Sequence, residues 1–244
     1  MMTGEQRDGR MHSRRILPDR LYRYRSMSGD AFRHTQAILT RNELFCSRLA
    51  AFNDPFEGYF ALTMPPRAPA AQRQYETWAS EVANRKVQAS AAVCSFSEKK
   101  DDLLMWGHYA DSHRGICIEF APRESKWFAD HVHRVRYLRN FKEVEHGATK
   151  DDQALTELVC TAKAKHWQYE AEWRIVIDTA GANRIPAKCV TGVIFGCRIA
   201  EDDERWIRQW VQLRKPRPAL FRAVQVQREF RIQIIDAGNA TDDT

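Results

Sequence analysis

Residues 151–178, DDQALTELVCTAKAKHWQYEAEWRIVID, place a helical and a strand periodicity side by side. Leu155, Leu158, Val159, Ala162 and His166 recur at three- and four-residue intervals, which predicts a helix over 151–166 with one buried stripe. From Glu170 the period becomes two. Trp173, Ile175 and Ile177 fall on one side of a predicted strand, and Glu170 and Glu172 share the other at its start.

The same reading extends outward in both directions. An aromatic strand, RLYRYRS, precedes a helix that Ser28 or Asp30 caps and whose Phe32, Thr35 and Leu39 share a face. Strand ELFCS follows, then a turn, Phe52-Asn53-Asp54-Pro55-Phe56-Glu57-Gly58, pinned by its own phenyl rings. Residues 70–90 predict a surface helix. AAVCSFS predicts a strand with Val93, Ser95 and Ser97 on one face and Cys94 and Phe96 on the other. LLMWGHYADSH, apolar nearly all round, predicts a short buried helix capped by Asp101 or Asp102 and stopped before Gly115. Strands follow at GICIEF, around VHRVRYL, at EWRIVID and at VTGVIFG, with an amphipathic helix near 202–213 and a terminal pair, ALFRAVQV and EFRIQII. Strands separated by single helices, with a closing hairpin, predict one α+β domain over 19–236, a mixed sheet flanked by helices. Residues 1–18 and 237–244 lack periodicity and are expected to be flexible tails.

Composition narrows the class. A chain of 244 residues with 43% apolar content supports one substantial core. No run approaches the roughly 18 apolar residues of a membrane helix, and the first residues are arginine-rich without an apolar segment, so a cytoplasmic protein without membrane association is expected. The six cysteines are scattered singly, without the pair spacing of a zinc site, and His108 and His113 are five apart, so no metal is expected. The formal charge of +6, with arginines gathered at both ends, suits an anionic partner, nucleic acid included, and is equally what an ordinary solvated surface carries. Neither phosphate-binding glycine loop is present, nor a nucleophile elbow, which removes kinase, dinucleotide-fold and serine-hydrolase readings.

Three places carry polar residues where the pattern calls for apolar ones: Arg23 and Arg25 on the first strand, Ser95 and Ser97 on the AAVCSFS strand, and the Glu170/Glu172 pair. The pair could equally be a solvated strand edge neutralised by Arg174. Phe52, Phe56, Trp106 and Tyr109 offer rings that could stack on a base or nicotinamide, although such spacings also build cores. Asp54 and Glu57 are substrate-contacting or turn-capping carboxylates, and His108 an acid–base or a buried structural imidazole.

Leu21–Arg25, Phe52–Glu57, Cys94–Ser97, Met105–Ala110, His113-x-Gly115-x-x-x-Glu119-Phe120, Trp167-x-x-Glu170-x-Glu172-Trp173-Arg174 and Phe195-Gly196 together resemble the bacterial domain of unknown function 2971. That resemblance spans about residues 20–235 and names no reaction. More remotely, the order arginine, S-x-S, E-x-E is similar to the layout of NAD-dependent ADP-ribosyltransferases, although Ser-Phe-Ser stands where Ser-Thr-Ser is common. This second resemblance implies an ADP-ribosyltransferase-like fold and NAD as the ligand. It also implies Arg23 or Arg25 on the phosphates, Ser95 and Ser97 at the nicotinamide ribose, Glu172 on the ribose hydroxyl and Glu170 orienting a nucleic-acid or protein acceptor. The other class open to the same residues is a non-catalytic nucleotide- or nucleic-acid-binding module. The enzyme reading predicts that Arg25, Ser97 and Glu172 meet in one cleft.

Overall fold

The computed structural model describes residues 16–63, 70–145 and 152–238. The chain opens with β1 (Leu21–Arg25), α1 (Gly29–Arg41), β2 (Glu43–Arg48), β3 (Phe60–Thr63), α2 (Ala70–Ser90) and β4 (Ala92–Ser97). It continues through α3 (Leu103–Tyr109), β5 (Ile116–Phe120), α4 (Lys126–His131), β6 (Val132–Arg134), β7 (Arg136–Leu138), β8 (Lys142–Glu145) and α5 (Asp152–Cys160). The last elements are β9 (Ala162–Ala164), β10 (Glu172–Ile177), β11 (Gly181–Arg184), β12 (Val190–Phe195), α6 (Glu201–Gln212), β13 (Ala219–Gln225) and β14 (Ile232–Asp236). Among these residues no helix is long and apolar enough to cross a membrane.

The main sheet runs β11-β2-β4-β1-β5-β12-β13-β14, with β10 added beside β4 and β6 beside β10. Most pairs are antiparallel, while β12 and β13 run parallel, so the sheet is mixed and the class is α+β as the sequence predicts. Its strands form where apolar β-branched and aromatic residues alternate, and Ile116, Ile118 and Phe120 of β5 with Val193 and Phe195 of β12 fill one face under α1, α4 and α6. The other face carries Tyr22, Tyr24, Trp106 and Ile194. A third apolar cluster, with Val87, Val93, Val159 and Val176, lies against α2 and α5. Burial of each large apolar side chain in these layers stabilises the fold by roughly 1.5–3 kcal/mol.

Strand β4 decides where a cavity can form. One edge pairs with β10 along its whole length, from Glu172↔Ser97 to Ile177↔Ala92. Its other edge is shared: β1 meets it at Tyr22↔Ser97, and β2 meets it at Ser47↔Val93 and Arg48↔Ala92. Between these contacts β1 turns away to pair with β5, Leu21↔Phe120 through Arg25↔Ile116. The sheet is therefore split beside Cys94, Ser95 and Phe96.

Tertiary pairing corrects several sequence expectations. The helix expected over 151–166 ends at Cys160, because Ala162–Ala164 pairs in parallel with β7, Arg136↔Ala162 through Leu138↔Ala164. Thr161 Oγ1 donates to the Glu157 carbonyl at 2.7 Å and closes the last turn, and His166 is exposed rather than part of a buried stripe. The strand around VHRVRYL divides in two, β6 on β10 and β7 on β9. Helix α3 has the expected Asp102 cap, whose Oδ1 accepts from the Leu104 and Met105 amides, but it is one-sided, with Met105 and Trp106 buried and Leu103 and Leu104 exposed. The expected tails fall mostly outside the described residues; Leu17 and Ala237, which are described, pack against the core.

Gly115, just before β5, has no room for a side chain. A Cβ there would collide with the carbonyl oxygen of Arg25. Gly115→Ala is therefore expected to lower the free energy of unfolding by roughly 1–3 kcal/mol, as a fall in the urea midpoint at unchanged slope. Because the collision pushes on Arg25, any ligand of the neighbouring cavity is expected to bind more weakly as well.

Candidate functional site

The split beside β4 is a cavity of about 320 Å³ lined by residues from distant parts of the chain, among them Arg23, Arg25, Phe52, Ser95, Ser97, His108, Tyr109, Lys163, Glu170 and Glu172. Arg23 bridges the gap where ladder hydrogen bonds are missing: its Nη1 donates to the Ser95 carbonyl at 2.7 Å and to Cys94 Sγ at 2.8 Å. Arg25 is tied to α1, Nη2 donating to the Ala31 carbonyl at 2.9 Å and Nε to Thr35 Oγ1 at 3.4 Å. Burial first, and the Arg23 guanidinium second, lower the Arg25 pKa to about 9, so it stays cationic at neutral pH in a place that welcomes an anion.

Behind this wall lies a buried ionic cluster centred on Arg174, which is 0% exposed. Its Nε and Nη2 donate to Glu172 Oε1 and Oε2 at 2.8 and 2.9 Å. Nη1 and Nη2 donate to Glu57 Oε2 and Oε1, both at 2.8 Å, and Nη1 also donates to the Cys160 carbonyl at 2.7 Å. All five N–H donors of a guanidinium are thereby used. Lys163 of β9 lies at 2.6 Å from Glu170 Oε2, 3.1 Å from Glu172 Oε2 and 3.3 Å from Glu57 Oε1. Tyr109 Oη donates to Glu170 Oε1 at 2.5 Å, and Tyr137 Oη accepts from the Glu172 amide at 2.7 Å.

Three carboxylates thus face two cations, and the proton balance falls unequally. Burial raises the Glu172 carboxyl, but Arg174 and then Lys163 outweigh it and hold Glu172 below the usual carboxylate range. Burial and the adjacent Glu172 carboxylate push Glu170 up to about 7, against the opposing pull of Lys163 and Tyr109. Adjacent carboxyls with separated protonation behaviour are a pairing found at acid–base sites. Two polar atoms of the cavity wall, Arg23 Nε and Ser95 Oγ, are buried without a well-formed hydrogen bond, although Ser95 lies near enough to Glu172 to favour its ionised form.

Of the residues singled out in the sequence, Arg23, Arg25, Ser95, Ser97, Phe52, His108, Tyr109, Glu170 and Glu172 line this one cavity. Ser97 Oγ donates to the Glu170 carbonyl at 2.6 Å and fixes that turn, and His108 Nδ1 lies 3.0 Å from Tyr169 Oη. Others do not reach it, Phe56 being exposed on the surface and Glu57 held by Arg174. Trp106 is core: its ring meets Tyr24 edge-on at 5.2 Å and its Nε1 donates to the Lys100 carbonyl. Asp54 caps its own turn, Oδ1 accepting from the Phe56 amide at 2.9 Å. The two glutamates also reach the cavity by a different route from the one expected. Only Glu172 is in β10; Glu170 ends a 3-10 helix, and Ala171 between them takes a left-handed φ of 44°. Lys163 stands in no motif, and Glu57 and Arg174 end two of the family-like motifs without being given a role there. A hint lay in the period-two reading, which puts Arg174 on the Glu172 side of the strand.

Removing the Arg174 charge leaves three buried carboxylates to share Lys163 alone, so Arg174→Met is expected to cost about 3–5 kcal/mol of stability by chemical denaturation. Glu170 gives a pH signature. A carboxyl whose folded pKa lies above the unfolded value of 4.5 favours the fold while protonated, and that contribution is lost as pH rises through about 7. The urea midpoint is expected to fall between about pH 5 and 8, and Glu170→Gln is expected to flatten that fall.

No curated protein and no solved structure matches the chain. Residues 105–175, which run from α3 to β10 and include His108, Tyr109, Lys163, Glu170 and Glu172, match the model of a family described as protein of unknown function (DUF2971), the same family that the sequence motifs resemble.

Proposed function

We propose that the chain is an ADP-ribosyltransferase-like enzyme that binds NAD in the split beside β4 and either transfers ADP-ribose to a macromolecule or hydrolyses NAD. The observation that carries this reading is the meeting of Arg25, Ser97 and Glu172, from three separate segments, in one cavity. Two guanidinium groups on one wall, Arg23 and Arg25, are what a ligand rich in phosphate oxygens would meet. A volume of about 320 Å³ lies at the small end of ligand sites, roughly 300–1,000 Å³, and suits the nicotinamide-ribose half with the pyrophosphate toward Arg25.

The residues divide the work by charge. Glu172 stays ionised, and its Oε1, which accepts from Arg174 Nε, keeps a second lone pair for a ribose hydroxyl. Breaking the bond between the ribose C1′ and the nicotinamide nitrogen sends the electron pair to the ring nitrogen and builds positive charge on the sugar, which a fixed carboxylate stabilises. The incoming hydroxyl or water forms the new bond at C1′ and gives its proton to Glu170, which titrates near 7. Arg25 offers a planar guanidinium to the phosphates.

The engagement of Glu172 by Arg174 and Lys163 also suits a second reading, in which the cluster is scaffold and the cavity holds a nucleotide without turnover. Release of labelled nicotinamide from NAD separates the two. The enzyme reading expects release by the native chain, a loss of about 100-fold or more in Glu172→Gln and in Glu170→Gln, and a rate that rises with pH through about 7. Far-ultraviolet circular dichroism checks that each variant is folded. A thermal shift with NAD but no release favours the module. Neither shift nor release removes both.

A further inference from the structure

A second cavity, of about 450 Å³, lies on the other side of Lys163, which lines both. Its wall is formed by Phe56 and Tyr59 from the loop before β3, by Leu138 to Lys142 between β7 and β8, and by the β9 region through His166. Phe56 is 59% exposed and Phe141 49% exposed, in a chain that buries most of its large apolar side chains. The three rings form one patch: Tyr59 and Phe141 stack at 5.8 Å with 29° between planes, and Phe56 lies 6.1 Å from Phe141. No lining residue is acidic, whereas Arg139, Lys142, Lys163 and His166 are basic. Exposed Arg136 and Lys165 flank them, and among the described residues Arg136, Arg139, Lys142 and Lys165 form no ion pair.

Exposed aromatic faces beside uncommitted cations have a specific chemical complement. An unstacked base offers a π-face of its own, and the phosphates on either side of it are held by lysine and arginine. A duplex hides its base faces, and an acidic peptide has no use for the rings. We propose that this face binds single-stranded nucleic acid, stacking a base on Phe141 and Phe56 with Arg139 and Lys142 on the adjoining phosphates. Resting on the enzyme reading above, it names the macromolecular acceptor: a strand held here lies across Lys163 from Glu170, the group assigned to take the acceptor's proton.

The test is fluorescence anisotropy without NAD, using labelled single-stranded RNA and DNA of about 12 nucleotides and a duplex of the same sequence. The single strands are expected to bind more tightly than the duplex, with an affinity that falls as salt rises. Phe56→Ala with Phe141→Ala is expected to weaken binding about tenfold or more, and Arg139→Glu with Lys142→Glu to weaken it and flatten the salt dependence. All four residues lie outside the first cavity, so acceptor-free nicotinamide release is expected to stay unchanged in these variants. Equal affinity for the duplex, no binding, or binding indifferent to both double variants overturns the proposal. So does a loss of NAD binding on removing the two rings while oligonucleotide binding persists, since the rings would then serve the adenine. If oligonucleotides bind here but the native chain releases no nicotinamide, the surface stands and the enzyme reading falls; the reverse result removes only the surface.

Discussion

A guanidinium with no exposed surface can be tolerated only where every donor finds an acceptor, and Arg174 meets that condition with groups from three parts of the chain. Glu57 belongs to the turn between β2 and β3, Cys160 closes α5, and Glu172 shares β10 with the arginine itself. Leaving any of them out strands charge in a low-dielectric interior, at several kcal/mol per ion. The turn, the end of α5 and the start of β10 must therefore assemble together. Phe52, with the Arg174 guanidinium 5.7 Å from its ring centroid, packs the turn against the same group and also lines the first cavity.

That requirement reaches the candidate chemistry through Lys163. Its ammonium is the second cation of the cluster, and it sits between the two glutamates and the two cavities. Burial, together with three carboxylates sharing two cations, raises the pKa of Glu170 to about 7, while Glu172 beside Arg174 is held low. Stability and protonation behaviour at this site thus have one origin. The split in the sheet completes the arrangement: β4 gives one edge to β10 without interruption and divides the other between β1 and β2, leaving an opening that Arg23 spans.

Much of this was legible beforehand, and the exceptions share a cause. The strands β1, β4, β5, β10 and β12 follow their period-two patterns, and the polar breaks in those patterns, Arg23, Arg25, Ser95, Ser97 and Glu172, all line the first cavity. Trp106 and Asp54 were ambiguous for a physical reason, since a ring serves a core as well as a site and a carboxylate before proline caps a turn as readily as it meets a ligand. The stretch from Thr161 to Glu170 misled because its helical spacing continues past Cys160, while pairing with β7 takes three of its residues into a strand. Local periodicity carries no information about a partner strand distant in the chain.

Alternation, turn chemistry and polar interruptions determined by themselves the α+β class, most element positions and the residue types available for chemistry, because these are properties of neighbours along the chain. The division of β4's second edge between two strands, the five-donor seat of Arg174, the place of Lys163 between two cavities and the raised pKa of Glu170 were decided only in three dimensions. Each depends on how many charges and strands compete for one buried space, and that number is set by contacts between residues far apart in sequence.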